Sequence, residues 1–133
     1  MQAASSGAPD SDLLIDSAAL SLHDFYVGLE RLFEYVAVSV DGSAPSGPER
    51  HRELLRQMSV ELPGLRPAVL AQDTVRLLDE FLRFRHVVHS VYAFELDVVR
   101  VGGLVADLPA AFARARSDLE AFAVFLESVG SQT

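Results

Sequence analysis

The stretch VADLPAAFARARSDLEAFAVFL, residues 105–126, decides the fold class. Its apolar positions alternate spacings of three and four without a slip, at Val105, Leu108, Phe112, Ala115, Leu119, Phe122 and Leu126. Such a seam is typical of a helix that packs antiparallel against other helices in a bundle. No part of the chain shows sustained period-two alternation or an Asn-Gly hairpin signal. The sequence therefore predicts an all-α protein.

A first long helix is predicted toward the N-terminus, starting at Leu13 and running for roughly 25 residues. Asp12 is its candidate N-cap, and the stretch DGSAPSGP at 41–48 ends it with glycine and proline. Its apolar stripe recurs every three or four residues, at Leu14, Ala18, Leu22, Phe25, Leu29, Leu32 and Val36.

Two more helices are predicted in the middle of the chain. Ser46 and Glu49 have the spacing of a capping box, which predicts a short helix that runs to about Val60. A long helix follows over about 73–96, and Val101-Gly102-Gly103 marks the expected break before the last helix. The predicted architecture is an up-down helical bundle of three long helices and one or two short ones.

Length and composition limit the function classes. With 133 residues, half of them hydrophobic, the chain is expected to form a disordered lead-in (1–12), one helical domain (13–130) and a short tail (131–133). The net charge of −8 argues against a protein that coats nucleic acid or a membrane by bulk attraction. The absence of cysteine excludes disulfides, cysteine-ligated zinc and thiol nucleophiles. Because no apolar run has the length of a membrane span and no secretory signal is evident, a cytoplasmic protein is expected.

The segment LRFRHVVHSVYAFELD, residues 82–97, carries the candidate chemistry. One line along its helix has leucines at both ends and a cation, an imidazole and a phenol in the middle: Leu78, Leu82, Arg85, His89, Tyr92 and Leu96. Spacings of three and four put these side chains on one face of a helix. Residues 76–89 carry three arginines and two acids, which is a local charge of +1 in an acidic chain.

Two interpretations of this line are open. Side chains at the boundary of an apolar face commonly pair with acids on a neighbouring helix, which is a structural role. Alternatively, the line is a phosphodiester site, because a guanidinium binds phosphate, an imidazole transfers a proton near neutral pH, and a tyrosine orients a phosphate or stacks on a base. His23 with Asp24 either faces the same site across the bundle or forms an ordinary surface contact. The histidines lack a ligand pattern with nearby carboxylates, so neither a metal nor another cofactor is expected.

Residues 82–97, together with SLHDFYVGLERLFEYVA (21–37), DGSAPSGPERHRELLRQM (41–58) and ELPGLRPAVL (61–70), resemble the HEPN superfamily. More narrowly, the chain is similar to HepT-like proteins, which are ribonuclease toxins encoded beside minimal nucleotidyltransferase antitoxins. The resemblance implies a HEPN-like bundle that dimerises through the motif helix, so that two copies of this helix meet in a basic cleft. It also implies metal-independent endoribonuclease activity, in which the ribose 2′-hydroxyl attacks the adjacent phosphate. The implied partners are a second copy of the chain, the cognate antitoxin and RNA, with no membrane and no DNA.

The family pattern Arg-x4-His-x-Tyr transfers only in part to this chain. Arg85 and Tyr92 match its arginine and tyrosine, but Ser90 occupies the histidine position. Either His89 substitutes as the proton-transfer group, or this copy is catalytically impaired. The resemblance then makes Arg85 and His89 the catalytic candidates and Tyr92 the candidate acceptor of AMP from the antitoxin. The remaining candidates are the RNA-contacting residues Arg83, His86, Ser90 and Tyr92, and the supporting pair His23 and Asp24.

Three hypotheses follow from the sequence. The first is a homodimeric HepT-like ribonuclease toxin of a toxin–antitoxin pair. The second is a HEPN module that binds a nucleotidyltransferase or RNA without cleaving it. The third is a structural helical dimer in which the Arg85 line is an interface network.

Overall fold

Four α-helices make up most of the computed structural model, which describes residues 3–90 and 98–131, with side chains over 13–85 and 98–130. They are α1 (Ala3–Val36), α2 (Arg50–Met58), α3 (Gln72–Ser90) and α4 (Val98–Ser131). The predicted all-α bundle of three long helices and a short one is confirmed, and the described residues contain no strand. No helix within the described ranges has the length and hydropathy needed to cross a membrane.

Helix α1 begins at Ala3, ten residues before the predicted start, so the prediction that Asp12 caps it is wrong. Alanines at positions 3, 4 and 8 favour a helix in this segment. The segment has no large apolar residue, so it shows no apolar stripe from which a helix could be predicted. The division of the chain into a lead-in, a domain and a tail stays a prediction.

The buried face of α1 differs from the predicted stripe at two turns. Tyr26 and Phe33 are fully buried where the prediction placed Phe25 and Leu32, and Leu32 is half exposed. Because an α-helix has 3.6 residues per turn, two adjacent positions can both lie near its buried side. The contacts with other helices then decide which of the two side chains is buried. The core face of α1 consists of Ala19, Leu22, Tyr26, Leu29, Phe33 and Val36.

The end of α1 carries a π-helical turn over Ala37–Asp41, which confirms the predicted stop near residue 41. Gly42 closes this turn with φ of 90°, a left-handed conformation that favours glycine, and its N–H donates to the carbonyl of Ala37. The turn brings Asp41 against Arg66, whose side chain is completely buried (0% exposed). This pair therefore joins the end of α1 to the loop between α2 and α3.

Helix α2 begins at Arg50, and Glu49 takes the N-cap position without a side-chain capping bond. The predicted capping box with Ser46 is therefore wrong. The preceding turn is closed instead by the carbonyl of Gly47, which accepts bonds from the backbone N–H and the guanidinium of Arg50. The helix packs through Leu54, Leu55 and Met58.

Helix α4 runs unbroken through Gly102, Gly103 and Pro109, so the predicted break at 101–103 is wrong. Buried Val101 and Leu104 flank the two glycines, and their packing offsets the low helix propensity of glycine. The predicted seam of α4 is confirmed in part. Ala115 and Phe122 are buried, and Leu108 and Leu119 are half-buried. The other three predicted positions are exposed, namely Val105, Phe112 and Leu126.

Candidate functional site at the junction of α1, α2 and α3

Arg85 occupies the point on α3 where a buried line of side chains becomes polar. Leu82 and Leu78, one and two turns earlier, are fully buried, and Arg85 follows them on the same face. Its side chain is only 15% exposed, so the guanidinium is held at the edge of the core. A cation in this position requires a partner, since burying an unpaired charge is costly.

Glu30 of α1 is that partner, and it also contacts an imidazole. Its Oε1 lies 3.3 Å from Nε of Arg85, and its Oε2 accepts a hydrogen bond of 2.9 Å from Nδ1 of His51 on α2. The remaining nitrogen of His51, Nε2, lies 3.4 Å from Nη1 of Arg85. Three side chains from three helices therefore form a closed triangle of contacts around a carboxylate whose side chain is 8% exposed.

A cavity of about 220 Å³ opens beside this triangle. Its charged lining comprises Arg31, Arg50 and Arg85 against Glu30 and Glu34, a net charge of +1 when His51 is neutral. The whole chain carries −8. The cavity is therefore a cationic site in an acidic protein, and a cationic, partly closed site favours a small anionic group.

Tyr26 lies behind the triangle, one turn before Glu30 on α1, and is fully buried. Burial and the carboxylates of Glu30 and Asp79 raise the pKa of its hydroxyl. That hydroxyl has no hydrogen-bond partner among the described residues. Tyr26 is therefore a buried residue close enough to Glu30 and Asp79 for their negative charges to act on its hydroxyl.

Arg83 lies apart from this cavity. Its Nε is 3.0 Å from Oδ2 of Asp79, and the other oxygen of Asp79 is 2.9 Å from Nη1 of Arg52. Arg83 is more than half exposed and does not line the cavity. The structure thus separates the two arginines that the sequence placed in one site.

The other predicted site residues are located only in part. His86, His89 and Ser90 belong to the last turns of α3, where the side chains lie outside the described residues, and Tyr92 lies outside them altogether. His89 follows Arg85 by four residues, so the two positions share a face of α3. His23 lies two turns before Glu30 on α1, with its Nδ1 3.7 Å from Oδ1 of Asp24, and neither residue lines the cavity.

Sequence reasoning missed Glu30 and His51, the two residues that contact Arg85. A signal for each was present in the helical pattern. Glu30 lies on the buried face of α1, four residues after Tyr26, where a carboxylate needs a partner. His51 precedes the buried residues Leu54, Leu55 and Met58 by three, four and seven positions, which places it on the inward face of α2.

This arrangement combines a guanidinium, a group able to bind phosphate, with an imidazole, a group able to transfer protons. Arg85 has five N–H donors, and its buried Nε, although 3.3 Å from Oε1 of Glu30, has no hydrogen-bond partner among the described residues. The triangle contains one carboxylate and one imidazole, and no cluster of acids or histidines suited to a metal ion occurs within the described residues.

The comparison with family models identifies a family for most of the chain. The sequence model of a family described as HepT-like proteins matches residues 17–126, a range that contains Glu30, His51 and Arg85. The comparisons with curated proteins and with solved structures gave no significant match.

Proposed function

The chain belongs to the HepT-like family, and on that premise we propose that it is the ribonuclease toxin of a toxin–antitoxin pair. The proposed activity is metal-independent cleavage of RNA. The observation that supports it is the position of the Arg85 guanidinium, which lines a cationic cavity at 3.4 Å from an imidazole nitrogen.

The proposed reaction is an attack of the ribose 2′-hydroxyl on the neighbouring phosphate. Arg85 binds the non-bridging phosphate oxygens and stabilises the charge that grows on them. His89, one turn further along α3, is the proposed proton-transfer group. Arg83, His86, Ser90 and Tyr92 are proposed to contact RNA beside the cleavage point. His23 and Asp24 support the site from α1 in this proposal.

Incubation of the purified chain with single-stranded RNA in excess EDTA tests the proposal. We expect cleavage at an unchanged rate when EDTA is added, because the proposed chemistry uses only side chains. RNA that stays intact at a molar excess of protein would contradict the proposed function.

The buried contact between Glu30 and Arg85 favours a second candidate function. A carboxylate that already neutralises Arg85 weakens its attraction for phosphate, and Ser90 occupies the histidine position of the family pattern. In this case the chain binds RNA or a nucleotidyltransferase without cleaving RNA. A filter-binding assay beside the EDTA assay separates the two, since this candidate predicts retained but intact RNA.

The proposed partners are a second copy of the chain, in a dimer formed through α3, and a minimal nucleotidyltransferase antitoxin. We expect coexpression with the nucleotidyltransferase of a neighbouring gene to add one AMP to Tyr92 and to reduce cleavage. Mass spectrometry of the intact chain and of a Tyr92→Phe variant checks this, because the variant lacks the acceptor hydroxyl. An unmodified wild-type chain, or equal modification of the variant, would argue against Tyr92 as acceptor. Light scattering of the purified chain tests the dimer.

A further inference from the structure

Two arginines that line the cavity beside Arg85 have no acidic partner. Arg31 and Arg50 form no ion pair with any described residue, and the guanidinium of Arg50 donates to the backbone carbonyl of Gly47 at 3.1 Å. By contrast, seven arginines of the described residues pair with carboxylates, namely Arg52, Arg66, Arg76, Arg83, Arg85, Arg114 and Arg116. The chain has 19 acidic and 11 basic residues, so a shortage of acids does not explain the two unpaired cations.

The three arginines of the cavity differ in depth. Arg85 is 15% exposed and lies 3.3 Å from the carboxylate of Glu30. Arg31 on α1 and Arg50 on α2 are both exposed, so they lie at the opening of the cavity, on two different helices. A phosphate group that reaches Arg85 from solvent therefore passes close to two cations that no carboxylate neutralises.

The size of the cavity limits how much of an RNA chain can enter it. Its volume of about 220 Å³ is smaller than the roughly 300–1,000 Å³ of pockets that enclose a drug-sized ligand. Three consecutive nucleotides do not fit in such a space, so the phosphates on either side of the one at Arg85 stay at the opening. Arg31 and Arg50 are the cations exposed there.

We propose that Arg31 and Arg50 bind the two phosphates that flank the one at Arg85, and that the substrate is single-stranded RNA bent into the cavity; this rests on the proposed function. A guanidinium suits this role because it binds phosphate oxygens in a bidentate fork. A single strand can turn sharply between nucleotides and splay its bases apart, whereas stacked base pairs keep a duplex stiff. Because Glu30 offsets the charge of Arg85, the two outer arginines supply most of the attraction for the RNA chain.

The test measures binding, with a 2′-O-methyl oligonucleotide that has no 2′-hydroxyl to react. Fluorescence anisotropy over a range of salt concentrations gives the Kd and its salt dependence. Each phosphate contact with a single strand adds about 0.7 to the slope of log Kd against log salt concentration. We therefore expect Arg31→Gln and Arg50→Gln each to lower this slope by about 0.7 and to weaken binding by about fivefold at about 0.1 M salt.

Two further changes test whether charge at the opening is the cause. Arg31→Lys and Arg50→Lys keep the charge, so we expect them to restore most of the slope. Glu34 lines the same cavity, one turn after Arg31, and is exposed. Glu34→Gln removes a negative charge from the opening and is expected to tighten binding by about two- to fivefold.

Arg56→Gln is the matched control. Arg56 is exposed on the same helix as Arg50, forms no ion pair with a described residue and lies outside the cavity. We expect its slope to equal that of the wild type. Annealing the complementary strand to the probe is expected to weaken binding to the wild type by about tenfold or more, since both flanking contacts are lost together. Thermal denaturation verifies that each variant folds.

The inference is overturned if the Arg31 and Arg50 variants lower the slope no more than Arg56→Gln does, or if the duplex binds as tightly as the single strand. A wild-type chain that does not bind the probe overturns it as well. Cleavage of RNA in EDTA is measured beside these titrations, so the two proposals fail separately. Altered slopes without cleavage would support the inference and contradict the proposed cleavage, whereas cleavage with unaltered slopes would do the reverse.

Discussion

Replacement of Arg85 by alanine is expected to lower the rate of RNA cleavage by about 100- to 1,000-fold, the usual cost of removing one donor from a site where charge develops. Its guanidinium lines the cavity and is held in place by the Oε1 oxygen of Glu30 at 3.3 Å. Arg85→Lys keeps the charge but loses the planar fork, so an intermediate rate is expected. Single-turnover cleavage of an RNA oligonucleotide with protein in excess measures the effect on the chemical step.

Arg76→Ala is the matched control for Arg85→Ala. It removes the same charge from the same helix, and the side chain of Arg76 is 71% exposed and outside the cavity. We expect its cleavage rate to stay within about twofold of the wild type, since a surface ion pair contributes little. If the two alanine variants cleave equally well, Arg85 does not bind the reacting phosphate.

Replacement of Arg66 by methionine is expected to lower the free energy of unfolding by about 3–5 kcal/mol, because it leaves a buried charge without its partner. Nε and Nη2 of Arg66 donate to the two oxygens of Asp41 at 2.6 and 2.7 Å. The same guanidinium donates to three backbone carbonyls, those of Gln57, Val60 and Pro67. Methionine removes all of these bonds and leaves the Asp41 carboxylate, which is 5% exposed, with the hydrogen bond from the Gln57 amide but without a counter-charge. Urea denaturation followed by circular dichroism measures the change.

A matched control is available in the exposed pair on α4. Nε of Arg116 lies 3.0 Å from Oε2 of Glu120, and both side chains are about two-thirds exposed. Arg116→Ala is expected to change the free energy of unfolding by less than about 0.5 kcal/mol. A loss for Arg66→Met no larger than that of the control would show that the buried pair does not stabilise the fold.

The same pair makes stability depend on pH. Hydrogen bonds from Arg66 hold the pKa of the Asp41 carboxyl below its ordinary value of 3.8. A carboxyl whose pKa is lower in the folded state stabilises the fold above the unfolded pKa, and this contribution is lost as the pH falls through the folded pKa. We therefore expect part of the stability to disappear below about pH 4 in the wild type, and a smaller loss in Asp41→Asn. Urea titrations between pH 2 and 6 measure it.

The sequence was sufficient for the fold class, because a three-four spacing of apolar residues identifies a helix wherever it occurs. Element ends were less predictable. The helix through Gly102 and Gly103 persists because Val101 and Leu104 are buried, and such tertiary packing overrides local propensity. In α1, the period alone did not distinguish Phe25 from Tyr26, since both lie near the buried side.

In the candidate site, Arg85 could be predicted from the sequence, whereas the residues that contact it could not. Arg85 stands out because it interrupts a line of leucines on one helix. Glu30 and His51 are separated from it by 55 and 34 positions, and a helical pattern does not specify which helix faces which. The position of His51 on the inward face of α2 marked it as buried, but only the fold shows that it contacts both Glu30 and Arg85.

The most direct test of the central claim uses an oligonucleotide that contains a single ribose among 2′-deoxy residues, incubated with the wild-type chain in EDTA. Metal-free attack by the 2′-hydroxyl predicts one cut, directly after that ribose, with a 2′,3′-cyclic phosphate on the upstream product. The all-deoxy control is predicted to stay intact. Cleavage of that control, or no cleavage of the single-ribose substrate at a molar excess of protein, would contradict the account.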